Sequence, residues 1–218
     1  MTTTLDPLVR LLPQTERLRA LHTTIRDRDV PRDRFRLHAG RIIRLLIEAA
    51  LAELPYQPCT PLTPVGERYD GLRLAVPVCG VSVMRAGDSM EGELRAACPE
   101  ARIGKILIQR DKVTKLPHLY YSALPGDVAT RHVLLLDPML ATGGTALAAL
   151  RVLAEAGVPE SHTVFVSLIA VPEGIAAVHA RHPGVRIVTS AIDERLNGNA
   201  YMIPGIGDFG DRFFGTDG

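Results

Sequence analysis

Apolar positions in this chain fall into two kinds of run, one spaced every three or four residues and one continuous, and the two alternate from residue 33 onwards. Leu37, Ile42, Leu45, Leu46 and Ala49 recur near helical spacing. This predicts a helix capped by Asp33, running to about Glu53 and stopped by Pro55. Leu72–Met84 is rich in strand formers and broken by Gly80. Asp88 with Glu91 three residues on has the form of a capping box, so a helix is expected to about Cys98. Ile103–Gln109 and Val133–Leu136 read as buried strands, and Thr145–Ala156 as a helix closed by Gly157. Val164–Val171 reads as a strand, Pro172–His182 as a helix with proline at its start, and Val185–Ser190 as another strand. Asp111–Arg131 is polar and turn-rich, with a hairpin arm expected through Leu119–Ser122, and 191–218 is Gly/Asp-rich and irregular. Apolar strands alternating with helices predict an α/β domain on a mainly parallel sheet. Ligands bind such sheets at the carboxyl ends of the strands. The loops to inspect are therefore 85–88, 110–112, 137–144 and 191–210.

Composition narrows the class. A chain of 218 residues, 46% hydrophobic and 22% charged, buries a single core without disulfide or metal staples and is not disordered, collagenous or coiled-coil. A net charge of +1 leaves no overall nucleic-acid footprint. The charge is uneven: residues 10–44 hold ten arginines against four acids, either a solvated helical face or an anion surface. The three cysteines, Cys59, Cys79 and Cys98, form no CxxC pair and fit a reducing compartment. The first residues lack a signal-peptide pattern, and no apolar run is long enough to span a bilayer. We expect one domain over 1–218, cytoplasmic, without nucleic-acid or membrane partners.

The strongest local feature is Val133-Leu-Leu-Leu-Asp137-Pro138-Met139-Leu140-Ala141-Thr142-Gly143-Gly144-Thr145. A buried strand ends in one acid, and a short loop with two hydroxyls and two glycines opens a helix. Glycines let backbone approach a ligand closely, and the free N–H groups of a helix start attract phosphate. Asp137 is placed to accept hydrogen bonds from sugar hydroxyls. The loop lacks the lysine of a Walker A motif, which disfavours ATP hydrolysis. Gly205-Ile-Gly207-Asp-Phe-Gly210 spells GxGxxG, yet the chain ends eight residues later, too soon for the second strand of a dinucleotide-binding unit.

The loop at 137–145 resembles the phosphoribosyl-pyrophosphate loop of uracil phosphoribosyltransferases. Tyr201–Thr216 resembles that family's C-terminal uracil signature almost letter for letter, and Met84–Gly87 and Ile106–Arg110 match as well. Cys79-Gly-Val-Ser and Gly104–Arg110 look more like the eukaryotic branch. Purine and orotate enzymes usually carry two adjacent acids where this chain has Asp137-Pro138, which favours the uracil branch.

The resemblance implies the type I phosphoribosyltransferase fold, with an N-terminal extension over 1–32, a mobile arm over 111–131 and a uracil-binding hood over 191–218. It implies transfer of phosphoribose from phosphoribosyl pyrophosphate (PRPP) to uracil, giving UMP and pyrophosphate, with Mg²⁺ carried by PRPP and water near Asp208 and with no direct protein ligand. PRPP is expected on Arg85, Arg110, Asp137, Pro138, Met139, Leu140, Ala141, Thr142, Gly143, Gly144, Thr145 and Asp208. The two arginines would grip pyrophosphate, Ala86-Gly87 would offer it N–H groups, and the family often holds that loop in a strained or cis peptide. Asp208 and Arg110 are the expected catalytic residues. Met202, Gly207, Asp208 and Phe209 match uracil-binding positions, with backbone of 202, 207 and 209 reading the base edge. A homodimer or homotetramer is implied, and a GTP activator at approximate matches Arg32, Arg41, Arg102 and Arg131. The alternatives are a non-catalytic nucleotide-binding protein on this fold and a transferase for another base.

Overall fold

The computed structural model describes residues 6–110 and 117–216, with backbone alone at 110 and 117. The chain opens with β1 (Val9–Leu11), α1 (Glu16–Arg26) and α2 (Arg32–Leu51). Thr15 caps α1 by accepting the Leu18 N–H at 3.2 Å. Pro31, not Asp33, stands at the cap of α2, so the proline fixes where this helix starts and Asp33 is its second residue. Two short strands, β2 (Tyr56–Cys59) and β3 (Gly71–Leu74), form a separate antiparallel hairpin. The β-rich stretch read as 72–84 is thus two strands in two sheets, parted at Ala75–Pro77.

The rest alternates as expected. β4 (Val78–Met84), α3 (Asp88–Ala97), β5 (Arg102–Arg110), β6 (Pro117–Ala123), β7 (His132–Leu136), β8 (Met139–Leu140) and α4 (Gly144–Glu155) follow in order. Then come β9 (Thr163–Ala170), α5 (Pro172–Arg181), β10 (Arg186–Ile192), β11 (Arg195–Leu196), β12 (Met202–Ile203) and α6 (Phe209–Phe214). Helix α4 ends in a Schellman motif: Gly157, at φ 82°, donates to Ala154 O and Val158 donates to Leu153 O.

The main sheet has the order β1-β10-β9-β7-β4-β5-β6, parallel except for β6, with β8 pairing β9 beyond the end of β7. Residues from the expected N-terminal extension supply its edge strand β1 and, through Leu18, Leu21 and Ile25 of α1, part of the core. Within the stretch expected as an arm, 111–131, β6 pairs antiparallel with β5 and 128–130 form one 3-10 turn; residues 111–116 lie outside the described residues. Alternate residues of β7 feed the two faces of the sheet. Leu134 and Leu136 pack with α1, α2 and α3, while Val133 and Leu135 pack with α4 and α5. Covering both faces is why these strands read as unbroken apolar runs.

Candidate active site

Strands β4, β7, β9 and β10 all deliver their carboxyl ends to one edge of the sheet. The loop after β7 is stitched to its neighbour for most of its length. The Pro138 carbonyl accepts the Leu168 and Ile169 N–H groups at 2.9 and 3.1 Å, and the Leu140 carbonyl accepts Val171 N–H at 3.1 Å. The Leu140 side chain is buried in the core, so this residue anchors the loop. Ala141, Thr142 and Gly143 make the turn into α4. Gly143 has φ 80°, a conformation that favours glycine, and a Cβ there would lie 3.0 Å from Ala177 Cβ. The first helical bond of α4 runs from Leu147 N–H to Gly143 O, so the N–H groups of 144–146 precede the ladder; that of Gly144 meets Thr142 Oγ1 at 3.4 Å. A hollow of about 30 Å³ lies against 139–146, and the first turn of α4 carries no acid. A cradle this small at the positive end of a helix suits one phosphate group.

Asp137 stands at the top of β7, buried, with Oδ1 accepting the Met139 N–H at 3.3 Å. Burial pushes its carboxyl up to about 7, and the Met139 hydrogen bond offsets only part of that. A buried carboxyl near neutrality is poised to meet hydroxyl groups.

On the next strand, β4 ends at Met84 and the Met84–Arg85 peptide is cis. The backbone then passes so close to the end of β7 that a Cβ on Gly87 would collide with the Leu136 carbonyl. Arg85 reaches toward α6: Nη2 donates to Asp211 Oδ1 and Nη1 to Thr216 Oγ1, both at 2.7 Å. The Thr216 hydroxyl and Arg85 together hold the Asp211 carboxyl below its ordinary value.

Residues 193–216 form the third wall. Asp193, almost fully buried, accepts the Gly205 N–H at 2.8 Å and pairs with Arg26 at 2.6 Å. Arg212 donates to the carbonyls of Ile25 (2.6 Å), Ile206 (2.8 Å) and Asp27 (2.6 Å), and lies over the Phe35 ring. Gly205 and Gly207 take φ of 68° and 73°, which turns the chain between Met202 and Asp208. Asp208 caps α6 by accepting the Asp211 N–H at 2.9 Å. A cavity of about 360 Å³ opens between Met139 and Ala141 of the phosphate loop and the 200–209 segment. Phe209 packs its ring against Phe35 and Phe213 and also borders the cavity.

A family model for uracil phosphoribosyltransferase matches residues 12–216. The chain belongs to the uracil phosphoribosyltransferase family. It is 52% identical over 96% of its length to a uracil phosphoribosyltransferase of Dictyostelium discoideum, covering 97% of that protein. Against uracil phosphoribosyltransferase 1 of Schizosaccharomyces pombe it is 50% identical, covering 95% of each chain. Among solved structures, the AQ2163 protein of Aquifex aeolicus superposes with a TM-score of 0.84 at 31% identity, covering 96% of this chain and 99% of that one. A Trypanosoma brucei adenine phosphoribosyltransferase shares the fold at a TM-score of 0.56 and 13% identity.

Seen as a uracil phosphoribosyltransferase, the chain gathers most of the residues singled out from sequence. Met139, Ala141, Met202, Gly207, Asp208 and Phe209 border one cavity. Arg85 and Asp208 approach each other beside Gly210, where a Cβ would lie 3.3 Å from Arg85 Nη2 and 3.2 Å from Asp208 Oδ1. Arg110 ends β5 with its backbone opposite Pro117, and its side chain is outside the described residues. The four arginines matched to an effector are not brought together. Arg102 and Arg131 meet on Asp127 at the opposite edge of the sheet, Arg32 donates to Phe214 O, and Arg41 lines a groove between α2 and α3. The Asp88–Glu91 pair is no capping box: Gly87 stands at the cap, and both carboxylates take Lys105 and Ser82 instead. Sequence reasoning missed Arg26, Asp193 and Arg212, whose partners are too far along the chain for any spacing to reveal.

Proposed function

We propose that the chain transfers the phosphoribosyl group of PRPP to uracil, giving UMP and pyrophosphate. The observation that carries this is the shared cavity, in which the phosphate loop and the backbone-lined hood face each other across a space sized for a small ring. The backbone and hydroxyl groups of 141–145 hold the 5′-phosphate. Asp137 takes the ribose hydroxyls, and Arg85 and Arg110 grip pyrophosphate through their planar forks. Binding PRPP requires Arg85 to exchange Asp211 and Thr216 for the donor. Backbone groups of Met202, Gly207 and Phe209 read the O2–N3–O4 edge of uracil. Fixed main-chain donors and acceptors reject a base that leaves one of them unpaired. Uracil N1 forms the bond to ribose C1′ as the C1′–O bond breaks; pyrophosphate leaves with the electron pair, and the N1 proton passes to the departing pyrophosphate or water. The Asp208 carboxylate, at the cavity wall, faces the positive charge that develops on the ribose.

Among the described residues no group of three metal-ligating side chains exists, and the loop offers one acid, Asp137, which is buried. That donor set fits Mg²⁺ carried by the donor's own oxygens, with Asp208 reaching it through water. When bound, the ion makes pyrophosphate a better leaving group. Incubation with radiolabelled uracil and PRPP, with competing bases, tests the reading; formation of another nucleotide, or of none, refutes it.

The same reading includes a homodimer or homotetramer and a cytoplasmic setting. Leu62, Val65, Tyr69 and Leu72 of the β2–β3 hairpin region are 63–84% exposed, more apolar surface than one hairpin usually leaves to water. Cys59, Cys79 and Cys98 are all free thiols, as a reducing compartment favours, and among the described residues no helix is long and apolar enough to cross a membrane. Light scattering across a GTP titration, with the rate followed in parallel, tests both the assembly and the GTP effector. A monomer indifferent to GTP refutes both.

A further inference from the structure

At the foot of the Arg85–Gly87 loop lies a polar cluster that the mechanism above leaves unused. Ser82 is fully buried in β4 and in register with Lys105 on β5. Its Oγ lies 2.9 Å from Asp88 Oδ1 and 2.7 Å from Glu91 Oε1. Lys105 Nζ reaches the same two oxygens at 2.8 and 2.7 Å. A serine hydroxyl has one proton and serves one carboxylate at a time. The lysine is therefore the group that holds both acids together. Asp88 follows directly on Arg85-Ala86-Gly87, and the other side of that loop is wedged against the end of β7 at Leu136. The loop is gripped between β7 and Lys105.

We propose that Lys105 is a positioning residue for the donor's pyrophosphate: by joining Asp88 and Glu91 it holds Arg85 and the Ala86 N–H in place, whereas the Gly87 N–H, expected from sequence to face the donor, is taken by the Val83 carbonyl at 2.9 Å. Without its charge two carboxylates repel each other next to a leaving group of the same sign. The inference rests on the phosphoribosyl-transfer reading. UMP supplies the internal control, since it carries the 5′-phosphate and the base but no pyrophosphate.

The test is calorimetric titration of the full chain with PRPP, inorganic pyrophosphate and UMP. Lys105→Met is expected to weaken the first two by roughly 10–100-fold, the scale of a 1 Å misplacement, and to leave UMP affinity unchanged. Lys105→Arg is expected to keep near-normal affinity for all three. Adding Glu91→Gln to Lys105→Met removes one anion and is expected to recover most of the loss; Lys105→Gln carries the same comparison if Lys105→Met does not fold. Unchanged pyrophosphate affinity, an equal loss for UMP, or no recovery in the double variant overturns the proposal. Wild-type protein that binds neither PRPP nor UMP overturns the parent reading, and this one with it.

Discussion

Replacing Asp137 by asparagine is expected to stabilise the ligand-free protein while abolishing turnover, and the gain is set by pH. The folded state holds this carboxyl at about 7 against an ordinary value of 3.8, because burial disfavours the charged form. For an acid raised in the folded state, the contribution to stability is fully present below 3.8 and is lost as pH rises through about 7. At roughly 1.4 kcal/mol per pH unit the loss reaches about 4 kcal/mol at alkaline pH. Asparagine has no charge to bury and keeps an oxygen for the Met139 N–H. Its amide N–H groups gain no clear partner, at a cost of about 1–3 kcal/mol. The net gain above pH 8 is therefore about 1–3 kcal/mol, or several degrees in melting temperature for a chain of this size. Thermal unfolding of both proteins from pH 4.5 to 9 measures it. The variant should melt above the wild type at pH 8.5, and the gap should shrink or reverse below pH 5. A gap that does not change with pH would refute the burial argument. Turnover should fall below detection, since an amide cannot accept both ribose hydroxyls.

Gly174→Ala places a methyl group against the Leu140 and Ala141 carbonyls, 2.7 Å from the former, and is expected to raise the KM for PRPP by roughly 10–100-fold; an unchanged KM in a folded variant contradicts this. Gly144→Val is expected to abolish donor binding without unfolding the chain, because its side chain blocks phosphate from the start of α4; normal PRPP affinity by calorimetry would contradict it. Asp208→Asn keeps the cap of α6 and is expected to retain uracil over cytosine while kcat falls by roughly 10²–10³-fold. Acceptance of cytosine would mean that this carboxylate reads the base. Burial and the nearby Arg26 charge lower His22 to about 4, so stability present above the ordinary value of 6.5 is lost as pH falls toward 4, by up to roughly 3 kcal/mol. Urea unfolding of wild type and His22→Gln across that window should show a shallower acid limb in the variant.

The β7–loop–α4 unit was legible because its signals are local: an apolar run, an acid, two glycines and a closing Gly157 all act within a few residues of one another. The Asp88–Glu91 spacing misled for the opposite reason. Capping-box spacing also places two acids on one side of a helix start, and here Lys105 and Ser82 on neighbouring strands claim them. The break between β3 and β4 escaped notice because, although Pro77 marks it, apolar residues run on either side of it from Leu74 to Val83. The arginine-rich stretch over 10–44 read as either a solvated face or an anion surface, yet Arg26 belongs to a pair with Asp193 that sequence spacing cannot encode. The tail read as irregular holds β11, β12 and α6, each too short for a periodic pattern to register.

Arg212 reaches back 187 residues to the Ile25 carbonyl, and Arg26 reaches forward 167 to Asp193. Together they sew the last helix to the end of the first. On the ribosome, the strand, loop and helix of the phosphate cradle emerge well before α6. The donor half of the site can thus take shape while the base half is still unsynthesised. Contacts this remote close late, after the local ones have formed. On the proposed reading, a nascent or C-terminally clipped chain would therefore carry the 139–146 hollow without the cavity wall that residues 200–209 supply. The clasp that finishes the hood also marks the point at which synthesis yields a molecule able to spend its donor.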